Sequence, residues 1–214
     1  MQEAMLVITW RVHFIKCEIT ETHTKDENIK QFSDIKDKEV FVAGQGSTPE
    51  YMFLYLLNQN GIKANLNFSV PTANIPSYLI ENQIDYAVLP EPFATIATNK
   101  DSNLKKAIDL QEEFKKFNKE FENYPLTVIV CTKEFAKKNP TLVKDFLDEY
   151  KKSLENTLNH PKIAAEYTQK HELGLNAQIV EKIIPYSSYV YVPANEAKEQ
   201  IYNLIDYKDF NTIL

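Results

Sequence analysis

The 214 residues carry 30 acidic and 24 basic side chains, for a formal charge of −6, and 43% of them are hydrophobic. This composition can bury the core of one large domain or two small lobes, which argues against disorder, and no apolar run approaches the ~20 residues of a membrane helix. Arg11 is the only arginine among basic groups that are otherwise lysines interspersed with acids. No arginine-rich surface is therefore on offer to a phosphate backbone, and nucleic-acid binding is not expected.

At the start of the chain, Met1 to Met5 has no basic region. Leu6 to Trp10 is too short for a signal core before Arg11 and His13, so the sequence as it stands predicts no export signal. Cys17 and Cys131 show no spacing typical of zinc, a redox pair or a disulfide framework. The elements become regular from Asp34. Val40 to Ala43 predicts a strand and Gly44 to Ser47 a loop. Thr48 then caps a helix with Pro49 at its first position and Glu50 in its first turn, closed by Asn60-Gly61. Asn65 to Val70 predicts a second strand, Pro71 to Asn74 a loop, and Pro76 the first turn of a second helix. Asp85 to Leu89 predicts a third strand, closed by Pro90-Glu91-Pro92 before a helix near Phe93. This βαβαβα order is that of an open, mostly parallel sheet flanked by helices.

Gln111 to Glu122 predicts a solvated helix. Leu126 to Cys131 is the most apolar strand candidate, expected to be central and buried. The remainder predicts helices starting at Asn139-Pro140, His160-Pro161, Asn176 and Pro193. The first of these carries a one-sided stripe at Leu142, Val143, Phe146, Leu147, Tyr150, Leu154 and Leu158. These helices have few strands to pack on, unless residues 5 to 19 and 186 to 192 contribute.

In a parallel sheet, ligands bind beyond the carboxyl ends of strands, where helix N-termini offer backbone N–H groups. Three successive strands end there in unusual loops. In the first, Gly44 and Gly46 allow close backbone approach, and Ser47 and Thr48 add hydroxyls; the alternative is a tight turn with an ordinary cap. Asn74 is either a helix cap or a ligand contact. Glu91, held between two prolines, is either a helix-start residue or a cleft contact.

Catalytic patterns are scarce. His13, His23, His160 and His171 form no spaced metal set, and Ser47 is not in a Gly-x-Ser-x-Gly elbow. The Gly-x-Gly has neither the third glycine of a dinucleotide fingerprint nor the lysine of a P-loop. The paired acids Glu112-Glu113 and Asp148-Glu149 fit solvated helix faces. No enzyme, cofactor or metal is expected.

Four stretches carry a resemblance. Ser33 to Val40, Gly44 to Tyr51, Ile84 to Phe93 and Phe135 to Val143 resemble, in order, motifs of the solute-binding proteins of ABC importers, in the subgroup of sulfonate, taurine and thiamine-precursor binders. Asp37 departs from the pattern by standing where a glycine is usual. The resemblance implies an α/β, periplasmic-binding-protein-like type II fold that binds a small polar or anionic solute in an interlobe cleft and passes it to a membrane permease. It further implies that Ser47 and Thr48 bind ligand oxygens, that Asn74 and Glu91 line the second lobe's face, and that Tyr124 packs on the ligand. Relatives are periplasmic or lipid-anchored, whereas this sequence alone suggests a cytoplasmic chain.

Family members are also about half as long again. The expected organisation is an atypical segment over 1–33, one complete α/β lobe over 34–123, and over 124–214 a crossover strand with the C-terminal helices of the other lobe. A truncated member is expected, arising from a frameshift near residues 9 to 24. The runner-up is a pyrimidine-synthase-like enzyme on the same fold, and a third reading is a ligand-sensing domain.

Overall fold

Ala87, Val88 and Leu89 are all fully buried, the pattern of a strand covered on both faces. They belong to β5 (Tyr86–Pro90), the middle strand of a five-stranded sheet. The computed structural model describes residues 6–8, 12–17, 29–119, 127–187, 189–193 and 196. The chain divides into two compact units, Arg11–Asn123 and Met1–Trp10 with Tyr124–Leu214.

In the Arg11–Asn123 unit the sheet order is β4-β3-β5-β2-β6. Here β2 is Val12–Cys17, β3 Glu39–Val42, β4 Asn65–Asn67 and β6 Leu104–Asp109. β3 runs parallel to β4 and β5, while β2 is antiparallel to both β5 and β6. The helices are α1 (Thr48–Gln59), α2 (Ile75–Ile80), α3 (Phe93–Lys100) and α4 (Leu110–Phe117). One core cluster gathers Ala43, Ile75, Leu79, Ala87, Leu89 and Ala94. Val88 points to the opposite face of the sheet, by strand alternation. Elsewhere in the unit Phe53 of α1 packs edge-on against Phe32 at 5.7 Å, and Tyr55 lies 5.9 Å from Phe114 of α4.

Several expectations change. The segment before residue 34 is divided: β1 (Leu6–Ile8) belongs to the other unit, whereas β2 lies inside this sheet with partners on both sides. α1 starts on Ser47 rather than Thr48 as its N-cap; Thr48 is its first residue and is buried. β6 falls where no strand is predicted, because two adjacent lysines and a bulge at Ala107 hide its alternation: Phe14 faces Ile108 but Ile15 faces Lys106. The α4 helix is not simply solvated. Asp109 caps it by accepting N–H bonds from Gln111 at 2.9 Å and Glu112 at 3.4 Å. Leu110, Phe114 and Glu113 are buried, the last paired with Lys116.

The second unit holds β1, β7 (Thr127–Ile129), α5 (Lys133–Lys138), α6 (Pro140–Asn159), α7 (Pro161–Lys170) and α8 (Ala177–Ile183). Thr132 caps α5 and Asn176 caps α8, the latter accepting the Ile179 N–H at 2.9 Å. Among the described residues, one buried cluster here gathers Ala165, Val180 and Ile184. β7 is not the central strand expected of Leu126 to Cys131: among the described residues it pairs with β1 alone, and Val130 is 69% exposed. α6 forms as its period predicts, yet none of its 20 residues is buried. The helix predicted from Pro193 lies mainly outside the described residues.

Candidate functional site

Phe41 of β3 stands opposite Asn67 of β4 on one side and Ala87 of β5 on the other, in parallel register. Adjacent parallel strands share their carboxyl edge. The loops Gly44–Ser47, Pro71–Asn74 and Pro90–Pro92 therefore all leave one edge of the sheet, where α1, α2 and α3 begin.

The first loop is shaped by its glycines. Gly44 and Gly46 have φ of +72° and +74°, a region that favours glycine. A Cβ on Gly44 would come within 2.5 Å of Ser47 Oγ, whereas one on Gly46 would meet nothing within 4 Å. Ser47 Oγ donates to the Gly44 carbonyl. Gly46 N–H donates to Glu50 Oε2 at 2.5 Å, so the first-turn carboxylate folds back over the helix start. The Ser47 hydroxyl thus serves the turn, while the helix end carries the positive dipole that suits an anion.

Asn74 precedes α2, and its side chain makes no capping hydrogen bond and is exposed. Its backbone closes the loop, with its N–H on the Pro71 carbonyl at 2.8 Å. Of the two readings the sequence allowed, the cap is not the one the side chain adopts.

Glu91 is turned inward and is 1% exposed. Its Oε1 meets Lys106 Nζ at 2.5 Å and its Oε2 accepts the Thr95 N–H at 3.1 Å. Lys106 Nζ also donates to Thr95 Oγ1 at 3.0 Å. The resemblance implies a residue lining the face; in the structure the carboxylate clamps the loop to α3 and β6. Sequence reading missed Lys106, which sits 15 positions away in a lysine pair that reads as solvated. Tyr124 lies outside the described residues.

A family model described as NMT1/THI5 like matches residues 19–164. The chain belongs to this family. No curated protein matches it. Among solved structures it is similar to an ABC transporter from Parabacteroides distasonis, with a TM-score of 0.71 and 21% identity over 96% of this chain and 66% of that one. The periplasmic aliphatic sulphonate binding protein SsuA from Escherichia coli gives a TM-score of 0.68 at 15% identity, over 96% of this chain and 63% of that one. The alkanesulfonate-binding protein SsuA from Xanthomonas axonopodis pv. citri, bound to MOPS, gives 0.61 at 14%, over 96% and 68%. The family member described here thus spans about two thirds of the length of these proteins, and shares with them the periplasmic-binding-protein-like fold. No helix among its described residues is long and apolar enough to cross a membrane.

Proposed function

We propose that this chain is the solute-binding component of an ABC import system and takes a small polar or anionic molecule at the carboxyl edge of the five-stranded sheet. The observation that carries the reading is the shared edge of three loops, two of them opening helices with Thr48 and Asn74 at or beside their first turn. In this proposal the α1 start and the Thr48 hydroxyl meet the solute's oxygens, with Gly44 and Gly46 keeping the backbone low. Asn74 supplies an amide. Ser47 and Glu91 hold their loops in place, and Tyr124 stacks on the solute. The Arg11–Asn123 unit acts as the second lobe, and the unit of Met1–Trp10 and Tyr124–Leu214 as a crossing strand with the C-terminal helices of the first. A membrane permease receives the solute, and the protein works on the periplasmic or outer-surface side of that membrane.

The names of the fold relatives support a sulfonate as the first probe. MOPS and taurine should raise the melting temperature of the purified chain in proportion to the logarithm of their concentration once above Kd. Thr48→Val combined with Asn74→Ala should remove that shift. Absence of any shift with sulfonates, sulfate, phosphate and small carboxylates contradicts the reading. A binder leaves its solute unchanged; turnover, or a cofactor that co-purifies with the chain and is found by mass spectrometry, would favour the pyrimidine-synthase-like reading instead.

A further inference from the structure

Lys106 faces α3 because of a break in β6. Against β2, Ile108 stands opposite Phe14 but Lys106 opposite Ile15, with Ala107 as the extra residue. On the other side of β2, Phe14 is opposite Val88 and Ile15 opposite Ala87. Residues opposite one another in neighbouring strands share a face, as do residues two apart on one regular strand. The bulge therefore puts Ile108 on the Val88 face and Lys106 on the Ala87 face, where Ala94 and Ala97 of α3 pack. Bulges beside functional sites re-aim side chains in this way. Here the re-aimed ammonium reaches Glu91 Oε1 at 2.5 Å and Thr95 Oγ1 at 3.0 Å.

The charges around the sheet edge give this contact its meaning. Loops 44–50, 71–75 and 90–95 contain two carboxylates, Glu50 and Glu91, and neither a lysine nor an arginine. Glu50 already lies over the start of α1, on the Gly46 N–H. A second free carboxylate at the same edge would repel an anionic solute. Glu91 is instead withdrawn to 1% exposure and neutralised by a lysine from a strand that contributes none of the three loops. A buried pair adds little stability over apolar residues of similar volume, so fold stability is a weak reason for its presence.

We propose that Lys106 is a positioning residue that sets the charge of the solute this chain accepts. By holding the Glu91 carboxylate inside, it removes a negative charge from the carboxyl edge of the sheet and lets that edge take a small anion. This inference rests on the placement of the solute at that edge.

Two single substitutions of opposite charge test it, read by isothermal titration of the 214-residue chain with MOPS, at mildly alkaline pH where MOPS is anionic, and with sulfate. Lys106→Met leaves the carboxylate unpaired and should weaken anion binding about fivefold at low salt, with the loss shrinking in high salt. Glu91→Gln leaves the ammonium unpaired and should tighten anion binding by a similar factor. A clamp that matters only for loop shape predicts weaker binding in both variants, because each breaks the same pair. Changes of the same direction in both, or Lys106→Met binding as tightly as the unsubstituted chain, overturn this proposal and leave the solute site standing. If Lys106→Met fails to fold, Glu91→Gln decides alone, and anything but tighter binding overturns the proposal. An unsubstituted chain that binds neither anion removes the solute site from this edge and the proposal with it.

Discussion

Glu91 and Lys106 form an ion pair of 2.5 Å that ties the loop after β5 to β6 across the sheet. The carboxylate is 1% exposed and the ammonium 23%, and Thr95 binds both partners. Such a pair adds little over a well-packed apolar substitute, but removing one member leaves a buried charge uncompensated.

Lys106→Met should therefore cost about 3 kcal/mol, the low end for a broken buried pair because Lys106 keeps some contact with water. Glu91→Gln combined with Lys106→Met should recover most of that loss, because no buried charge remains. Urea denaturation of the two variants checks this. A double variant no more stable than Lys106→Met would show that the pair does not work as a unit.

Leu89 and Leu142 test how differently the two units bury their apolar side chains. Leu89 is fully buried and Leu142 is 56% exposed. Leu89→Ala should cost about 2–5 kcal/mol, while Leu142→Ala should stay within about 0.5 kcal/mol. Thermal melts of the two variants decide it, and comparable losses would mean that the α6 face is already covered in solution.

The two loop glycines should respond unequally to alanine. Gly46→Ala meets open space and carries only the strain of a left-handed residue, about 1–2 kcal/mol. Gly44→Ala adds a clash with Ser47 Oγ, so it should lose more stability and disturb the start of α1. Denaturation midpoints together with backbone amide shifts of residues 45–50 test the order. Equal effects would place the importance of Gly44 in its φ alone.

Local punctuation made much of this fold legible in the sequence. Pro49, Asn60-Gly61, Pro76 and Pro90-Glu91-Pro92 mark helix starts and stops through fixed φ, missing N–H groups and capping, and the β3 to α3 succession follows from them. What stayed hidden depends on partners distant in sequence. β2 lies between β5 and β6, and β6 shows no clean alternation because of Lys105, Lys106 and the Ala107 bulge. The inward turn of Glu91 is not legible because the lysine it pairs with belongs to that unpredicted strand. Ser47 and Thr48 are equally good caps by residue type, and only the extended backbone at Ser47, φ −114° and ψ 171°, assigns the role to it. The apolarity of Leu126 to Cys131 points to a central buried strand and the stripe on α6 to a packed face, yet Val130 is 69% exposed and no α6 residue is buried. The described part of the chain does not supply the layer that would cover them.

In the proposed function, solute meets the shared edge of β4, β3 and β5. A titration of the 15N-labelled chain with MOPS, followed by amide chemical shifts, tests it most directly. Saturable shifts are expected in residues 44–50, 72–75 and 91–95, with smaller ones or none in α6 and α7. Saturable shifts confined to the α6 and α7 helices, or none at any concentration of MOPS, taurine or sulfate, would contradict it.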